Sequence, residues 1–303
     1  MKTLLNLCKR NIKMYFKDKG MFFSSLITPI ILLVLYVTFL KNVYDDAFRS
    51  SLEKAGAAGM VPESVINAAV GGQLVSSLLA VSCVTVAFCS NLLMIRDKTS
   101  GALKDLTIAP IKPRTLSVSY FLSTLASTLI ISVSAMAVCL VYLAIVGWHM
   151  NFSDVLTLLL NVILLTAFGT ALSSCVNFFL TTDGQASAVG TIVSAGYGFI
   201  CGAYMPIASF GKGLQNMLAF FPGTYGTSLL RKSVLRGAFE QMSKLGFPSE
   251  AIAGIKDGID CNIYFFGHNV DTVVMYVILI ASIILLVGIY VLMNVLSAKK
   301  RQK

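Results

Sequence analysis

The chain has 303 residues, 56% of them hydrophobic and only 13% charged, and a formal net charge of +10. Soluble domains hold about 25% charged residues, so this composition excludes an ordinary soluble enzyme and fits a polytopic membrane protein. Seven cysteines (Cys8, Cys83, Cys89, Cys139, Cys175, Cys201, Cys261) are scattered without a CxxC or Cys/His pair. They read as small buried hydrophobes rather than a metal or disulfide framework.

The first 20 residues are basic and amphipathic, and the apolar run after them is too long for the core of a secretory signal. On a helical wheel Lys2, Lys9, Arg10, Lys13 and Lys17 fall within one arc of about 100°. Leu4, Leu7, Cys8, Ile12, Met14, Tyr15 and Phe16 occupy the rest. Segment 1–20 is therefore expected to lie as an interfacial helix on the inner leaflet. It serves either as an anchor alone or also as a contact surface for a cytoplasmic partner.

A helix needs about 20 apolar residues to span a bilayer. Six stretches qualify: 21–40, 64–95, 115–153, 155–182, 184–211 and 272–298. None carries a charge inside. The loop 41–70 is polar, with room for short helices. Between the second and third spans lies Arg96-Asp97-Lys98-Thr99-Ser100-Gly101-Ala102-Leu103-Lys104-Asp105-Leu106, closed by Pro110. Thr99 or Ser100 is expected to cap a short helix there. Leu103 and Leu106 share a face, and Pro110 stops it. A charged amphipathic turn of this kind suits docking into a groove on a partner.

After the fifth span, 213–230 is uncharged but interrupted by Pro222, Gly223 and Gly226. It is expected as short broken helices, re-entrant or interfacial. Backbone of that kind is tolerated at membrane depth only where protein or a wet cavity covers it. The same region packs Met205-Pro206, then Phe220-Phe221-Pro222-Gly223-Thr224-Tyr225, then Leu229-Leu230-Arg231. Aromatics in this setting serve as interface anchors.

Orientation follows Lys and Arg. With the N-terminus inside, the inner segments hold 15 of the 24 basic residues and only Asp18, Asp97, Asp105 and Asp183 as acids. Both termini are then cytoplasmic, and the basic excess faces anionic headgroups. Nucleic acid is not an expected partner, because the basic residues are split among short membrane-flanking segments.

No catalytic constellation is present. There is no GK[ST] phosphate loop, the nearest match being Phe210-Gly211-Lys212-Gly213, and no HExxH or GxSxG; His149 and His268 lie far apart. Neither a metal site nor ATP hydrolysis is expected of this chain. Charge-free spans also weigh against an ion-coupled carrier, although a Na⁺ site of hydroxyls and carbonyls stays open. The polar residues inside the spans are Ser24, Ser25, Thr28, Asn91, Asn161, Thr166, Ser173, Ser174 and Asn177. They read as helix–helix glue or as the lining of an amphiphile's path.

Taken together, these features resemble the ABC-2 type permease family, the membrane subunits of ATP-driven exporters. The 96–111 pattern is similar to that family's charged, Gly-Xaa-Leu and Pro signature. The Pro222-Gly223-Thr224-Tyr225…Leu230-Arg231 run is similar to its Pro-Xaa-Thr-Tyr…Leu-Arg element. Asp97 stands where many members carry Glu, and Ala102 where Thr is common.

The resemblance implies an all-α integral membrane protein forming a single permease domain over 1–303. It would have six transmembrane helices, an interfacial helix at 1–20, a coupling segment at 96–112 and a re-entrant region within 205–270. It implies a separate ATP-binding cassette subunit holding ATP and Mg, with no cofactor in this chain. A second permease copy, or a related one, completes the assembly in a bacterial plasma membrane. Small residues in 184–198 mark a dimer or cavity face. The ATPase would dock on Arg96, Asp97, Lys98, Gly101, Leu103, Leu106 and Pro110, near the interfacial Lys9, Arg10, Lys13 and Lys17. Pro206, Pro222, Thr224, Tyr225 and Arg231 form the outer element. The cargo would be hydrophobic or amphiphilic, moved outward; an ion-coupled carrier or channel is the alternative.

Overall fold

The computed structural model describes residues 2–36, 38, 41–54, 61–109 and 111–301. Backbone N–H and C=O groups in a bilayer must be paired within the protein, which leaves long apolar runs little choice but helix. In chain order the helices are α1 (Lys2–Lys17), α2 (Lys19–Leu35), α3 (Lys41–Lys54), α4 (Glu63–Ser90), α5 (Leu92–Thr99), α6 (Ala102–Ile108) and α7 (Pro113–Val146). They continue with α8 (Phe152–Phe178), α9 (Asp183–Ile200), a 3₁₀ turn (Ile207–Ser209), α10 (Lys212–Leu218), α11 (Pro222–Lys244) and α12 (Ser249–Gly258). A two-residue hairpin pairing Tyr264–Phe265 with His268–Asn269 leads into α13 (Thr272–Arg301).

Among the described residues, four helical stretches are long and apolar enough to cross a membrane: Glu63–Thr99, Pro113–Val146, Phe152–Phe178 and Thr272–Ser297. The pair α1–α2 gives a fifth if taken together, bent by 77°. At that bend Asp18 caps α2, accepting from the Met21 amide at 3.0 Å. The end of the expected first span, at 37 and 39–40, lies outside the described residues.

Three local expectations are corrected. The run 184–211 is not one helix. α9 stops at Ile200, where the amides of Ala203 and Tyr204 turn back onto the Gly198 carbonyl. α9 is not among the stretches apolar enough to cross. The run 213–230 is not broken throughout either, because Pro222 opens α11 rather than interrupting it. Proline at N1 loses no intrahelical bond, and α11 then runs unbroken through Gly223, Gly226 and Arg231. Finally, neither Thr99 nor Ser100 caps α6. The N-cap is Gly101, whose φ of +85° reverses the chain between α5 and α6. Glycine takes up that conformation without penalty, while the Thr99 hydroxyl bonds back to the Arg96 carbonyl at 3.1 Å.

The core is built on α4. A helix apolar on every side belongs in the interior, and from Val65 to Phe88 nearly every side chain of α4 is buried. α2, α7, α8, α9 and α11 surround it. α13 lies at the periphery and exposes Val273, Val277, Ile280, Ile284, Leu285 and Leu292, an apolar outer face suited to acyl chains. The helices alternate in direction. Lys232 of α11 bonds Thr272 at the start of α13, and Tyr290 near its other end meets Met94 of α5. The bundle therefore has an α6 end and an α12 end.

Close approach of α8 to α4 depends on Gly169. A Cβ there would sit 2.9 Å from the Val84 Cα and 3.0 Å from the Cys83 carbonyl oxygen. Gly169→Leu is expected to destabilise the bundle by roughly 1–3 kcal/mol or more. The readout is a lowered apparent Tm and a loss of monodisperse protein on size exclusion. Gly288→Leu on α13, with open space around it, should leave both unchanged.

Candidate functional site

The α6 end gathers most of the residues singled out by the sequence. α5 prolongs the course of α4 past Asn91, whose amide donates to the Ser173 and Ser174 hydroxyls at 3.2 and 3.1 Å. Arg96, Asp97 and Lys98 therefore sit on a helix packed against the bundle, not in a loop. Asp97 is buried, with a side chain 3% exposed, and Arg10 of α1 grips it with two donors at 2.7 and 3.1 Å. Tyr120 of α7 donates a third hydrogen bond to it at 2.5 Å. Beside this knot Asn11 donates to the Ser123 hydroxyl at 3.3 Å. Arg96 pairs with Asp18 at the α1–α2 bend.

Lys98 donates to the carbonyls of Asn177, Phe178 and Leu180, at 3.2, 2.8 and 3.0 Å. A cation at the C-terminal end of α8 meets both the unpaired carbonyls and the negative end of the helix dipole. All three charges expected to face a partner thus hold this protein's own helices together.

Leu103 and Leu106 behave in the same way. They are half-buried and pack against the cluster of Leu7, Met94, Leu116, Tyr120 and Tyr290. What α6 offers outward is Lys104, Asp105, Thr107 and Ile108, the last 83% exposed. Beneath α6 lies a cavity of 430 Å³ reached by Leu103, Thr107, Lys98 and Asn294. On α1, Lys9, Lys13 and Lys17 are exposed, while Leu7, Asn11 and Tyr15 turn inward towards α7. Pro110 lies outside the described residues.

The second group sits towards the α12 end. Pro206 caps the 3₁₀ turn and Pro222 begins α11. Thr224 donates to the Leu218 carbonyl at 3.0 Å and Tyr225 to that of Ala219 at 2.5 Å, joining the first turn of α11 to the end of α10. Arg231, 1% exposed, bonds Asp260 at 3.1 Å, the Ser77 hydroxyl at 3.4 Å and the Gly202 carbonyl. Asp260 also accepts from the amides of Ile207 and Ala208 at 2.6 and 3.0 Å. Burial raises the Asp260 carboxyl above the usual carboxylate range, against the opposing pull of Arg231 and these amides.

Sequence reasoning missed Asp18, Tyr120 and Asp260. Asp18 had a signal, as an Asx residue between two helical runs. A lone Arg231 closing an apolar run calls for an acid, but nothing in the spacing points to Asp260. Tyr120 in an apolar span carries no signal at all.

Arg10→Met would leave Asp97 buried with only Tyr120. Arg10 is partly exposed, so the loss should fall between the ~1 kcal/mol of an exposed pair and the ~3–5 kcal/mol of a broken buried one. Adding Asp97→Asn should restore part of the stability, since a neutral amide still accepts from Tyr120. Apparent Tm values of wild type, single and double variants test this. A double variant less stable than Arg10→Met would contradict it.

Compared with protein families, residues 3–235 match the family described as ABC-2 type transporter. That stretch runs from α1 into α11 and contains the α5–α6 site, Pro206, Pro222, Thr224, Tyr225 and Arg231. No curated protein matches the chain. With well over half of its length matched, and with helices long and apolar enough to cross a bilayer, the chain belongs to the ABC-2 type transporter family.

Proposed function

We propose that the chain is the permease subunit of an exporter in the plasma membrane, driven by a separate ATP-binding cassette subunit. The observation that carries this reading is α6. It is a two-turn helix seated by Leu103 and Leu106 on the end of the bundle, with Lys104, Asp105 and Ile108 turned outward. An ATPase that binds and hydrolyses ATP with Mg would press on that face. α5 would pass the displacement to α4, and Arg10–Asp97 would pass it to α1. The permease itself performs no covalent chemistry. The charge asymmetry along the sequence supports an α6 end in the cytoplasm. The 205–270 region then lies at the outer side, with the turn into α10 and α11 as its re-entrant part.

Cargo of hydrophobic or amphiphilic character fits crossing helices whose interior polar groups are mostly hydroxyls and amides. Asn161, for example, donates to the Leu229 carbonyl at 2.9 Å and accepts from Tyr276 at 2.8 Å. Assembly with a second permease copy is supported by α9. Gly184, Ser187, Ala188, Thr191 and Ala195 are all exposed, and small residues allow close helix approach in a membrane.

Two measurements test the reading. Ile108→Asp with Lys104→Glu alters only side chains turned outward. Burying an isoleucine in a partner contributes about 1.5–3 kcal/mol, so ATPase recovery with the permease should fall roughly tenfold or more at equal permease levels. ATP-driven export should fall with it, and the permease alone should hydrolyse no ATP. Undiminished recovery and export, or robust hydrolysis by the isolated chain, would refute the coupling role.

For the dimer, Ala188→Cys or Ala195→Cys in a Cys-free background should give disulfide-linked permease pairs in membranes. Ile284→Cys on the outer face of α13 should not. Pairing through Ile284→Cys and not through α9 would move the interface elsewhere.

A further inference from the structure

At the α12 end, α11, α12 and the start of α13 enclose a cavity of 660 Å³. Its apolar wall is formed by Phe239, Phe247 and Ile252, all buried. Its charged lining is Lys232, Arg236, Lys256 and Glu240. These charges are unequal in standing. Arg236 is balanced by Asp154 at 2.9 Å and Glu240 at 3.5 Å. Lys232 and Lys256 have no ion-pair partner among the described residues. Lys232 donates to the Thr272 hydroxyl at 2.9 Å, and Lys256 lies 5.1 Å from the centre of the Phe239 ring.

Two half-buried ammonium groups thus face one apolar-walled cavity without a carboxylate in salt-bridge contact, since Glu240, the acid in the lining, pairs with Arg236. Burial lowers the Lys232 pKa from its ordinary value; the nearby Lys256 charge adds to the lowering, and Cys261 and Asp271 oppose it without cancelling it. An anion placed between the two would relieve both effects. Lysine provides point charges with rotatable donors, suited to a compact tetrahedral or carboxylate anion. The aromatic and aliphatic wall is of no use to a free anion but accommodates an alkyl chain.

We infer that this cavity binds an amphiphile by its anionic head, with a phosphate-type group between Lys232 and Lys256 and its tail along Phe239, Phe247 and Ile252. The site belongs to the permease alone. It needs neither the ATPase nor a direction of transport, so it stands or falls separately from the exporter reading.

The test uses the full-length permease in a neutral detergent and a dodecyl phosphate carrying a diazirine near the tail end. Photolabel is expected on the peptide that carries Phe239–Ile252. Unlabelled dodecyl phosphate should compete it away. Inorganic phosphate and dodecyl maltoside at the same concentration should not. Lys232→Met with Lys256→Met should reduce labelling tenfold or more at unchanged size-exclusion behaviour, and Lys232→Arg with Lys256→Arg should retain most of it. Competition by inorganic phosphate would mean a free-anion site, and competition by dodecyl maltoside a plain apolar pocket. Either result, or equal labelling of the Met variant, overturns the proposal. The competition arms are read on wild-type protein, so they decide the matter even if the Met variant does not fold.

Discussion

Everything in the bundle is arranged around the burial of α4. Nearly all of its 28 residues are buried, the polar ones along with the apolar, so almost none of it faces lipid or water. In lipid, a helix gains little from apolar contact with a neighbour that the acyl chains would not also provide. What draws the others in is close fit: Gly169 lets α8 touch the α4 backbone, and Gln73, Ser76, Ser77, Ser82 and Thr85 are buried along it. α7, α8 and α11 therefore take their positions from α4, and α13 takes its own from α8 and α11.

Buried charge is handled by the same rule at both ends. A carboxylate removed from water needs a partner and hydrogen bonds to every remaining acceptor site. Asp97 has three donors, two from Arg10 and one from Tyr120. Asp260 has Arg231 and two backbone amides. Each knot joins elements far apart in the chain, α1 with α5 and α7 in one case, and α11 with the connection after α9 in the other. Such a knot is weak evidence of net stability, since a well-packed apolar cluster often does as well. What the contacts do show is which segments meet: each carboxylate accepts from donors on separate parts of the chain.

The helices were legible because charge-free apolar runs admit few other structures, and 64–95, 155–182 and 272–298 fall within a few residues of α4–α5, α8 and α13. The errors share one physical cause, which is that local residue type was taken to decide the backbone. Pro222 and Gly226 read as breakers, yet Pro222 opens α11, where it costs no intrahelical bond, and packing keeps the helix intact through Gly226. Conversely 184–211 read as uniform, yet α9 ends where Arg231 and Asp260 capture the following turn. At the α6 end, the sequence marks the motif positions, and the structure adds the contacts they make within the chain. Arg96, Asp97, Lys98, Leu103 and Leu106 each contact their own chain, and the partners that hold them, Asp18, Arg10, the end of α8 and the Leu7–Tyr290 cluster, are distant in sequence, which is why the sequence does not show them. Ile108, the residue α6 leaves bare, had no mark to distinguish it from its neighbours.

The sharp corner between α1 and α2 has a kinematic meaning. A body pinned at one point can tilt in any direction, and one pinned at two can still swing about the line through them. α1 is pinned to α5 at Arg10–Asp97, at the corner by Asp18–Arg96, and to α7 by Asn11–Ser123. All three lie along one helix and its end, so α1 cannot lift or slide, and the freedom left to it is rotation about its own long axis. α1, α5 and the start of α7 are thus tied to one another, and a push on one is carried to the other two.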